Sequence, residues 1–310
     1  MKRCICLAGL VFVWAVAGVR AQAALDVLKV HGQVYLIAGP ASNAVVQVGD
    51  QGVLVVDTMR EQDADGLLAE IRKLAGGKPI RYVVNTHAHL EHVGGNAKVS
   101  EAGSQLVGGN FGGQVQGDHA FIFAHEKVLA AVSAKTGGNS LLPFAGWPTD
   151  TFFQSEKDLY FNGEGIQLIH EPNAHTDGDV LVWFRSSDVI ATGDVFDITR
   201  MPEIDLQRGG HVNGVIEALN RIIDVAISEQ FTEGGTRIVP GKGRICDEFE
   251  VVEYRDMVTI VRDRVQAMVK KGMALQQVQA ANPAFEYVPR YGAASATAFV
   301  DAAYRNLGGK

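Results

Sequence analysis

Residues 86–95, which read THAHLEHVGG, hold three imidazoles and one carboxylate within a run of six residues. These side chains belong to His87, His89, Glu91 and His92. Imidazole and carboxylate together suit zinc and related divalent ions, so their density here predicts a metal site. In a turn, His87 and His89 can converge on one ion while Glu91 and His92 face another. The alternative is a polar surface loop, which the ligand-type residues of later segments disfavour.

Two later segments supply further ligand-type side chains in a matching context. Residues 174–179 read AHTDGD and contain His175, and residues 191–195 read ATGDV and contain Asp194. Each segment follows an apolar run typical of a buried strand. Open α/β sheets usually place their polar chemistry at the carboxyl ends of strands, and both segments have that position.

Short β-rich runs come before the histidine-rich segment and position it. They predict hairpin-linked strands over residues 34–37, 44–48 and 53–56. A helix is predicted over residues 63–74, where apolar residues share one face and two glycines follow. The next strand, residues 80–84, is apolar and leads directly into the histidines.

The rest of the chain repeats this order and ends in helices. Residues 101–120 contain six glycines and predict a mobile surface loop beside the first histidines, either a lid or an ordinary insertion. Because no proline-rich or serine-rich linker divides the chain, residues 24–310 are predicted to form a single domain. The remaining predicted elements are strands at 121–123, 167–170, 180–184, 189–191 and 237–239, and helices at 126–134, 212–228, 248–270, 275–281 and 296–307.

Composition limits the class of protein. Of the 310 residues, 47% are apolar and 20% are charged, which suits a globular protein with a full-sized core rather than a disordered chain. The formal net charge is −7 and the lysines and arginines form no cluster, so we expect no nucleic-acid partner. The expected partner is a small-molecule substrate.

The first 23 residues have the pattern of a signal peptide. A basic start at Lys2 and Arg3 precedes an apolar stretch over residues 5–18, and small residues at 21–23 predict cleavage after Ala23. The apolar stretch is 14 residues long, whereas a membrane-spanning helix needs roughly 20. We therefore expect export to the periplasm or the medium, without a stable membrane anchor.

Taken together, these segments resemble the metallo-β-lactamase-fold hydrolases. The resemblance rests on residues 86–95, on His175, on residues 192–194 (TGD) and on residues 240–243 (PGKG), which appear in the family's order. It implies an α/β fold, namely a four-layer αββα sandwich with C-terminal helices. It also implies a zinc site where the two sheets meet.

The resemblance also assigns metal ligands residue by residue. In this family the first site is built from three histidines, which match His87, His89 and His175. The second site normally uses an Asp-His pair, a bridging aspartate and a late histidine. His92 matches the histidine of that pair, and Asp194 matches the bridging aspartate.

Two positions depart from the family pattern, and both belong to the second site. Glu91 stands where the family usually has aspartate, and its extra methylene moves the carboxylate outward by about 1.5 Å. Lys242 stands where the late histidine is expected. A protonated ammonium has no lone pair, so Lys242 can ligate zinc only when it is deprotonated.

These departures favour one firmly held zinc ion at the three family histidines and leave a second ion uncertain. Lys242 would then supply the positive charge of the missing second zinc ion by pairing with Asp194 or Glu91. Zinc-bound water has a pKa of about 7 in favourable sites and attacks a carbonyl carbon as hydroxide. Glu91 or Asp194 would orient it and carry its proton, and Lys242 would steady an oxyanion or hold a substrate carboxylate. The predicted activity is hydrolysis of amides, esters, lactones or lactams, including β-lactams.

Two alternatives stay open beside this hydrolase hypothesis. One is a degenerate family member that binds a ligand or partner without turnover, which the two substitutions at Glu91 and Lys242 favour. The other is redox chemistry at a di-iron centre, which occurs elsewhere in the same fold family. The missing late histidine and the lack of a flavin-binding segment in the sequence argue against the redox alternative.

Overall fold

Strands and helices alternate along the chain much as the apolar pattern predicts. The computed structural model describes residues 25–108, 114–231 and 234–309, so the predicted signal peptide lies outside it. Within these ranges the strands are β1 Asp26–His31, β2 Val34–Ala38, β3 Asn43–Gly49, β4 Gly52–Val56, β5 Ile80–Val84, β6 Leu106–Gly108, β7 Gln114–Gln116, β8 Phe121–His125, β9 Lys135–Thr136, β10 Asn139–Ser140, β11 Asp150–Phe152, β12 Glu156–Phe161, β13 Glu164–Glu171, β14 Asp179–Phe184, β15 Val189–Ala191 and β16 Arg237–Val239. The α-helices of the same ranges are α1 Ala64–Ala75, α2 Leu90–Val93, α3 Asn96–Glu101, α4 Glu126–Ser133, α5 Val212–Val225, α6 Glu248–Lys270, α7 Leu275–Ala281, α8 Val288–Tyr291 and α9 Ala293–Asn306.

The first sheet joins an antiparallel meander to a parallel edge. Its strand order is β1-β2-β3-β4-β5-β8-β11. The first four strands pair antiparallel through short turns, and the remaining pairs are parallel. Parallel pairing begins at β5 because α1 carries the chain back to the starting edge before β5 forms.

The second sheet is smaller and has the order β12-β13-β14-β15-β16. Its first four strands are antiparallel, and β16 joins β15 in parallel after the crossover through α5. The sheet therefore places the carboxyl ends of β13, β15 and β16 at the same edge. That edge is where His175, Asp194 and Lys242 follow their strands.

Three apolar layers hold four layers of secondary structure together. Between the sheets, Leu36 and Leu54 of the first sheet pack with Leu168, Val182 and Phe184 of the second, all fully buried. The outer face of the first sheet packs on α1, and that of the second packs on α5, α6 and α9. Each fully buried side chain of this kind contributes about 1.5–3 kcal/mol. The predicted αββα sandwich with C-terminal helices is confirmed.

Helix α6 begins at a capping box and faces the second sheet with one side. The Asp247 carboxylate accepts from the backbone N–H of Glu250 at 3.0 Å, and the Glu250 carboxylate accepts from the backbone N–H of Asp247 at 3.3 Å. Its buried positions include Val251, Val258 and Val265, seven residues apart, while charged residues occupy the outer side. In the part of the chain that the structure describes, no helix is long and apolar enough to cross a membrane.

The described part of the glycine-rich segment 101–120 contains strands β6 and β7, which pair antiparallel. The backbone N–H of Ser104 donates to the Ile80 carbonyl at 2.9 Å, so the hairpin leaves the sheet at the amino end of β5. The histidines follow the carboxyl end of that strand, about 13 Å away for five extended residues. The described part of this segment therefore leaves the sheet at the opposite end of β5 from the histidines, which favours the ordinary insertion, while residues 109–113 of the predicted loop lie outside the described residues.

Candidate metal centre

Three separate segments bring ligand-type side chains together at the carboxyl edges of the two sheets. His87 and His89 follow β5, and His175 lies in the connection from β13 to β14. Asp194 lies in a short 3₁₀ turn, Gly193–Val195, directly after β15. Part of the predicted loop after β5 is helical, because α2 begins immediately after His89 and contains His92.

The side chains form two clusters that share one histidine. We call His87, His89 and His175 the triple-histidine cluster, and His87, His92 and Asp194 the aspartate cluster. In each cluster the three potential ligand atoms lie within 4.8 Å of one another. Nearly all of these side chains are buried, and His87, His92 and His175 are each 1% exposed.

Hydrogen bonds on the outside of the triple-histidine cluster fix the tautomers of two imidazoles. His175 Nδ1 lies 2.7 Å from the Glu203 carbonyl oxygen, and His89 Nε2 lies 3.0 Å from Asp205 Oδ2. Both oxygens can only accept, so both ring nitrogens must donate. The two inner nitrogens, His175 Nε2 and His89 Nδ1, are then lone pairs facing each other at 2.9 Å. Two neutral imidazoles in this arrangement repel each other unless a proton or a metal ion lies between them.

His87 is oriented by a relay that ends at Asp57. The Thr86 hydroxyl donates to Asp57 Oδ2 at 2.7 Å, so its oxygen is left to accept from His87 Nδ1 at 3.0 Å. The lone pair of His87 Nε2 therefore faces the clusters. This buried atom has no hydrogen-bond partner among the described residues.

The aspartate cluster also has buried polar atoms that face inward without a hydrogen-bond partner. His92 Nδ1 donates to Asp57 Oδ2 at 2.7 Å, which leaves Nε2 facing Asp194 Oδ1 at 3.1 Å without the alignment of a hydrogen bond. His92 Nε2 and Asp194 Oδ1 are both buried and lack a hydrogen-bond partner within the described ranges, as does His87 Nε2. Buried polar atoms rarely lack partners. A bound cation would satisfy all three at once, whereas a proton on His92 Nε2 would partner His92 and Asp194 only. The residues present therefore fit a metal ion.

Burial and neighbouring charges set the protonation states of His87 and His89. Burial lowers the pKa of His87 well below its usual value, and the nearby His92 and His175 add to this effect. Burial also lowers the pKa of His89, with His175 as the next cause. Both imidazoles are therefore neutral, which is the form that binds zinc.

His92 and Asp194 behave as a charged pair. Burial on its own would lower the pKa of His92, but the carboxylates of Asp194 and Asp57 outweigh it and raise that pKa well above its usual value. Burial on its own would raise the pKa of Asp194, but His92 outweighs it and holds the pKa well below the usual range. At this pair, the neighbouring charges therefore shift the two pKa values more than burial does.

Arg200 lies beside the aspartate cluster, although no pattern in the sequence pointed to it. Its Nη2 lies 3.5 Å from Asp194 Oδ2, and its Nε lies 2.7 Å from Asp197 Oδ2. Its Nη1 lies 2.9 Å from Glu203 Oε2. The three-residue spacing of Asp197, Arg200 and Glu203 was the available signal, but such spacing is common on protein surfaces and does not point to a metal site.

Glu91 lies next to the clusters but belongs to neither. Its backbone carbonyl accepts from the Ser42 hydroxyl, and its carboxylate is absent from both groups of converging ligand atoms in the described chain. The physical reason is local, because successive residues of the short helix α2 point about 100° apart and cannot both face one ion. His92 occupies the inward direction, so the structure does not support the prediction of Glu91 as a metal ligand.

Lys242 reaches the same edge but pairs with neither predicted carboxylate. Gly241 donates from its backbone N–H to the Gly193 carbonyl at 2.8 Å, and a Cβ at Gly241 would overlap Asp194 Oδ1. The loop after β16 therefore lies against Asp194. Lys242 is half-buried and forms no ion pair within the described residues, so the predicted pairing with Asp194 or Glu91 was wrong. Arg200 takes that place beside Asp194.

Comparison with known proteins identifies the family. The sequence model of the metallo-β-lactamase superfamily matches residues 37–225, more than half of the chain. The chain belongs to the metallo-β-lactamase superfamily. The family predicted from the histidine-rich segment and its companions is therefore confirmed, and the clusters described above lie within the matched residues.

Several curated members of this superfamily are similar to the chain. The type 2 metallo-β-lactamase of Bacillus cereus is 22% identical over 235 residues, which cover 74% of this chain and 78% of that enzyme. The linear primary-alkylsulfatase of Pseudomonas sp. (strain ATCC 19151) is 23% identical over 258 residues, covering 72% of this chain and 46% of that protein. The 2,4-dinitroanisole O-demethylase subunit alpha of Nocardioides sp. (strain JS1661) is 24% identical over 193 residues, which cover 59% of this chain and 52% of that subunit. The chain thus spans about half the length of the sulfatase and of the demethylase subunit.

Solved structures of the superfamily share the fold. The stereoselective inverting sec-alkylsulfatase from Pseudomonas sp. superposes with a TM-score of 0.63 at 14% identity, covering 92% of this chain and 50% of that one. The metallo-β-lactamase from Pontibacter korlensis gives 0.56 at 17% identity, covering 76% and 99%. The named superfamily relatives thus include β-lactamases and sulfatases, which are hydrolases.

Proposed function

We propose that this protein is a zinc-dependent hydrolase that attacks the carbonyl carbon of an amide, ester, lactone or lactam. The observation that carries the proposal is the triple-histidine cluster, in which outer hydrogen bonds aim lone pairs inward from two distant segments. Three neutral imidazoles with an open fourth position are a usual catalytic zinc site. One firmly bound zinc ion is expected at this cluster, and β-lactams are among the candidate substrates.

A zinc ion at this cluster would lower the pKa of a water molecule and polarise the substrate carbonyl. Asp194 is the residue best placed to handle the proton, because its carboxylate is ionised, 6% exposed and directed at the clusters. It would orient the attacking water and carry a proton to the leaving group. Glu91 stays a second candidate for this role, since its carboxylate lies close enough to His89 to raise the pKa of that imidazole.

Lys242 would recognise the substrate. Arg200 is already paired with three carboxylates, whereas the half-buried Lys242 forms no ion pair in the part of the chain described. Because its loop lies against Asp194, its ammonium is available to an oxyanion or to a substrate carboxylate near the metal. A substrate with a negative group close to the scissile bond suits this arrangement.

Hydrolysis of a sulfate ester is a second candidate function. It is favoured by the similarity to two alkylsulfatases, one of them over 92% of this chain at the level of fold. The unpaired Lys242 would serve a sulfate group as well as a carboxylate.

The test is a hydrolysis panel on the purified protein with zinc supplied. The panel contains carboxylic esters, lactones, β-lactams and linear and secondary alkyl sulfates, with a His87→Ala variant as the background. Turnover of a carbonyl substrate above this background supports the proposal, and turnover of alkyl sulfates alone supports the second candidate. If zinc binds and no substrate is turned over above the background, the protein is a binding member of the superfamily without activity.

We propose that residues 1–23 are removed as a signal peptide and that residues 24–310 form one domain that is exported to the periplasm or the medium. Amino-terminal sequencing of the protein recovered from the periplasmic fraction and from the medium tests both points. A chain that starts at Met1 in the cytoplasmic fraction would contradict export.

A further inference from the structure

A single turn of the chain contacts two imidazoles of the triple-histidine cluster from outside. The Glu203 carbonyl accepts from His175 Nδ1 at 2.7 Å, and Asp205 Oδ2 accepts from His89 Nε2 at 3.0 Å. The backbone N–H of Asp205 also donates to the His175 carbonyl at 2.9 Å. This turn therefore links the histidine that follows β13 to a histidine that follows β5, in the other sheet.

The Asp205 carboxylate is held firmly in this position. Arg208 Nη1 donates to the same Oδ2 atom at 2.7 Å, and the backbone N–H groups of Gln207 and Arg208 donate to Oδ1 at 2.9 and 3.0 Å. The Asp205 side chain is 14% exposed. With four donors on two oxygens, the carboxylate has little freedom to turn away from His89.

His89 needs this contact more than the other two histidines do. His87 and His175 direct Nε2 inward and carry the proton on Nδ1, whereas His89 directs Nδ1 inward. His89 must therefore hold the opposite tautomer, with the proton on Nε2. A carboxylate accepts but cannot donate, so the Asp205 contact enforces that tautomer.

We propose that Asp205 is a positioning residue that fixes the tautomer and direction of His89 for metal binding, with Arg208 holding its carboxylate in place. This inference rests on the proposed function, because it requires zinc at the triple-histidine cluster. Carboxylates that accept the outer proton of a metal-binding histidine typically change metal affinity 10-fold to 100-fold when removed.

The test measures zinc affinity in Asp205→Ala, Asp205→Asn and Arg208→Gln by competition with a chromophoric chelator. We expect a dissociation constant roughly 10-fold to 100-fold higher for Asp205→Ala. Asp205→Asn keeps an acceptor without the charge and should lose less, and Arg208→Gln should lose least. The matched control is Asp177→Asn, because that carboxylate lies on a neighbouring loop and pairs with Lys127 at 3.6 Å.

A second readout separates positioning from a merely structural effect. Nitrogen-15 NMR of the metal-free protein reports the tautomer of each histidine, and in Asp205→Ala we expect His89 to gain the Nδ1–H form while His87 and His175 keep theirs. Thermal unfolding verifies that each variant is folded. Should Asp205→Ala fail to fold, Asp205→Asn and Arg208→Gln answer the same question, with shifts in the same direction expected.

The outcomes distinguish this inference from the proposed function. If the folded Asp205 variants bind zinc within two-fold of the wild type and His89 keeps its tautomer, the inference is overturned while the proposed function stands. If zinc affinity depends on Asp205 but no substrate of the panel is hydrolysed, the proposed function fails and the inference stands. If the wild-type protein does not bind zinc, both fail.

Discussion

The triple-histidine cluster and the aspartate cluster share His87, yet they satisfy charge in different ways. In the triple-histidine cluster every outer nitrogen donates to an acceptor, so three inner lone pairs face one another. In the aspartate cluster, Asp194 lies between His92, at 3.1 Å, and Arg200, at 3.5 Å, so the protein supplies its own positive charge.

The comparison indicates which of the two clusters requires a metal ion from solution. The second family site loses two of its usual ligands here, because Glu91 lies outside the clusters and Lys242 is an ammonium. A buried carboxylate without a metal requires another cation, and Arg200 and His92 provide it. The triple-histidine cluster contains no carboxylate that such a cation would neutralise, and its three inward lone pairs face one another, so it is the side expected to hold zinc.

The largest effect is expected from removing the shared histidine. His87→Ala should weaken zinc binding more than about 100-fold and abolish turnover, since loss of a mere outer partner already costs 10-fold to 100-fold. Zinc titration and the hydrolysis panel measure this. His31→Ala is the control, because the His31 ring bonds to the Ser187 carbonyl in the turn before β15, whereas Asp194 follows the other end of that strand. Equal zinc affinity in both variants would contradict the shared-ligand assignment.

A second prediction compares two buried carboxylates, Asp194 and Glu171. Neighbouring cations hold the pKa of Asp194 low, whereas burial outweighs the neighbouring Arg221 at Glu171. Glu171 is 7% exposed, its Oε1 has no hydrogen-bond partner in the described chain, and Arg221 is 3.8 Å away. Burial raises the pKa of Glu171 from 4.5 to about 7. The folded protein therefore keeps this proton between pH 4.5 and 7 while the unfolded chain releases it, so this contribution to stability is full below pH 4.5 and is lost as the pH rises to 7.

Glu171→Gln should remove this pH dependence. Between pH 4.5 and pH 8 the wild type should lose up to about 3 kcal/mol more free energy of unfolding than the variant, at 1.36 kcal/mol per pKa unit. Urea unfolding at several pH values gives the free energy of unfolding for both proteins. Glu229→Gln is the control, since Glu229 is exposed and paired with Arg237. A wild-type profile with the same slope as the variant would show that burial does not hold the Glu171 proton.

The number of zinc ions bound per chain tests whether only one of the two clusters holds a metal ion. The wild type should bind one zinc ion per chain when the metal is supplied in small excess, as counted by native mass spectrometry. The double variant Glu91→Asp/Lys242→His restores a shorter carboxylate and a neutral imidazole, so it should bind a second, weaker ion. Two ions in the wild type would overturn the one-zinc proposal, although the hydrolase proposal would survive.

The smallest effect is expected from Lys242 itself. Lys242→Met should raise KM about 10-fold for a substrate with a carboxylate near the scissile bond, since a charged hydrogen bond is worth about 1.5–3 kcal/mol. A neutral analogue should be affected less than two-fold. Lys73→Met, which changes an exposed lysine paired with Glu70, is the control. An equal change for charged and neutral substrates would argue against anion recognition by Lys242.

Much of the fold could be predicted because its signals are local. Strands β5, β15 and β16 and helices α6 and α7 match the predicted ranges to the residue, since each is a continuous apolar run or a periodic stretch bounded by turn residues. The glycine-rich segment 101–120 was harder. Its composition indicates a loop but carries no information about which end of β5 it leaves.

The sequence by itself determined which side chains have the chemistry of a metal site, because imidazoles and carboxylates placed directly after buried strands are visible in the residue order. Only the tertiary structure decided which charges meet. Arg200, Glu203 and Asp205 lie in an irregular segment without periodicity, and their contacts with Asp194, His175 and His89 join residues up to 116 positions apart. Coulomb attraction and hydrogen bonding depend on distance in space, so no local pattern could show that Arg200, rather than Lys242, balances Asp194.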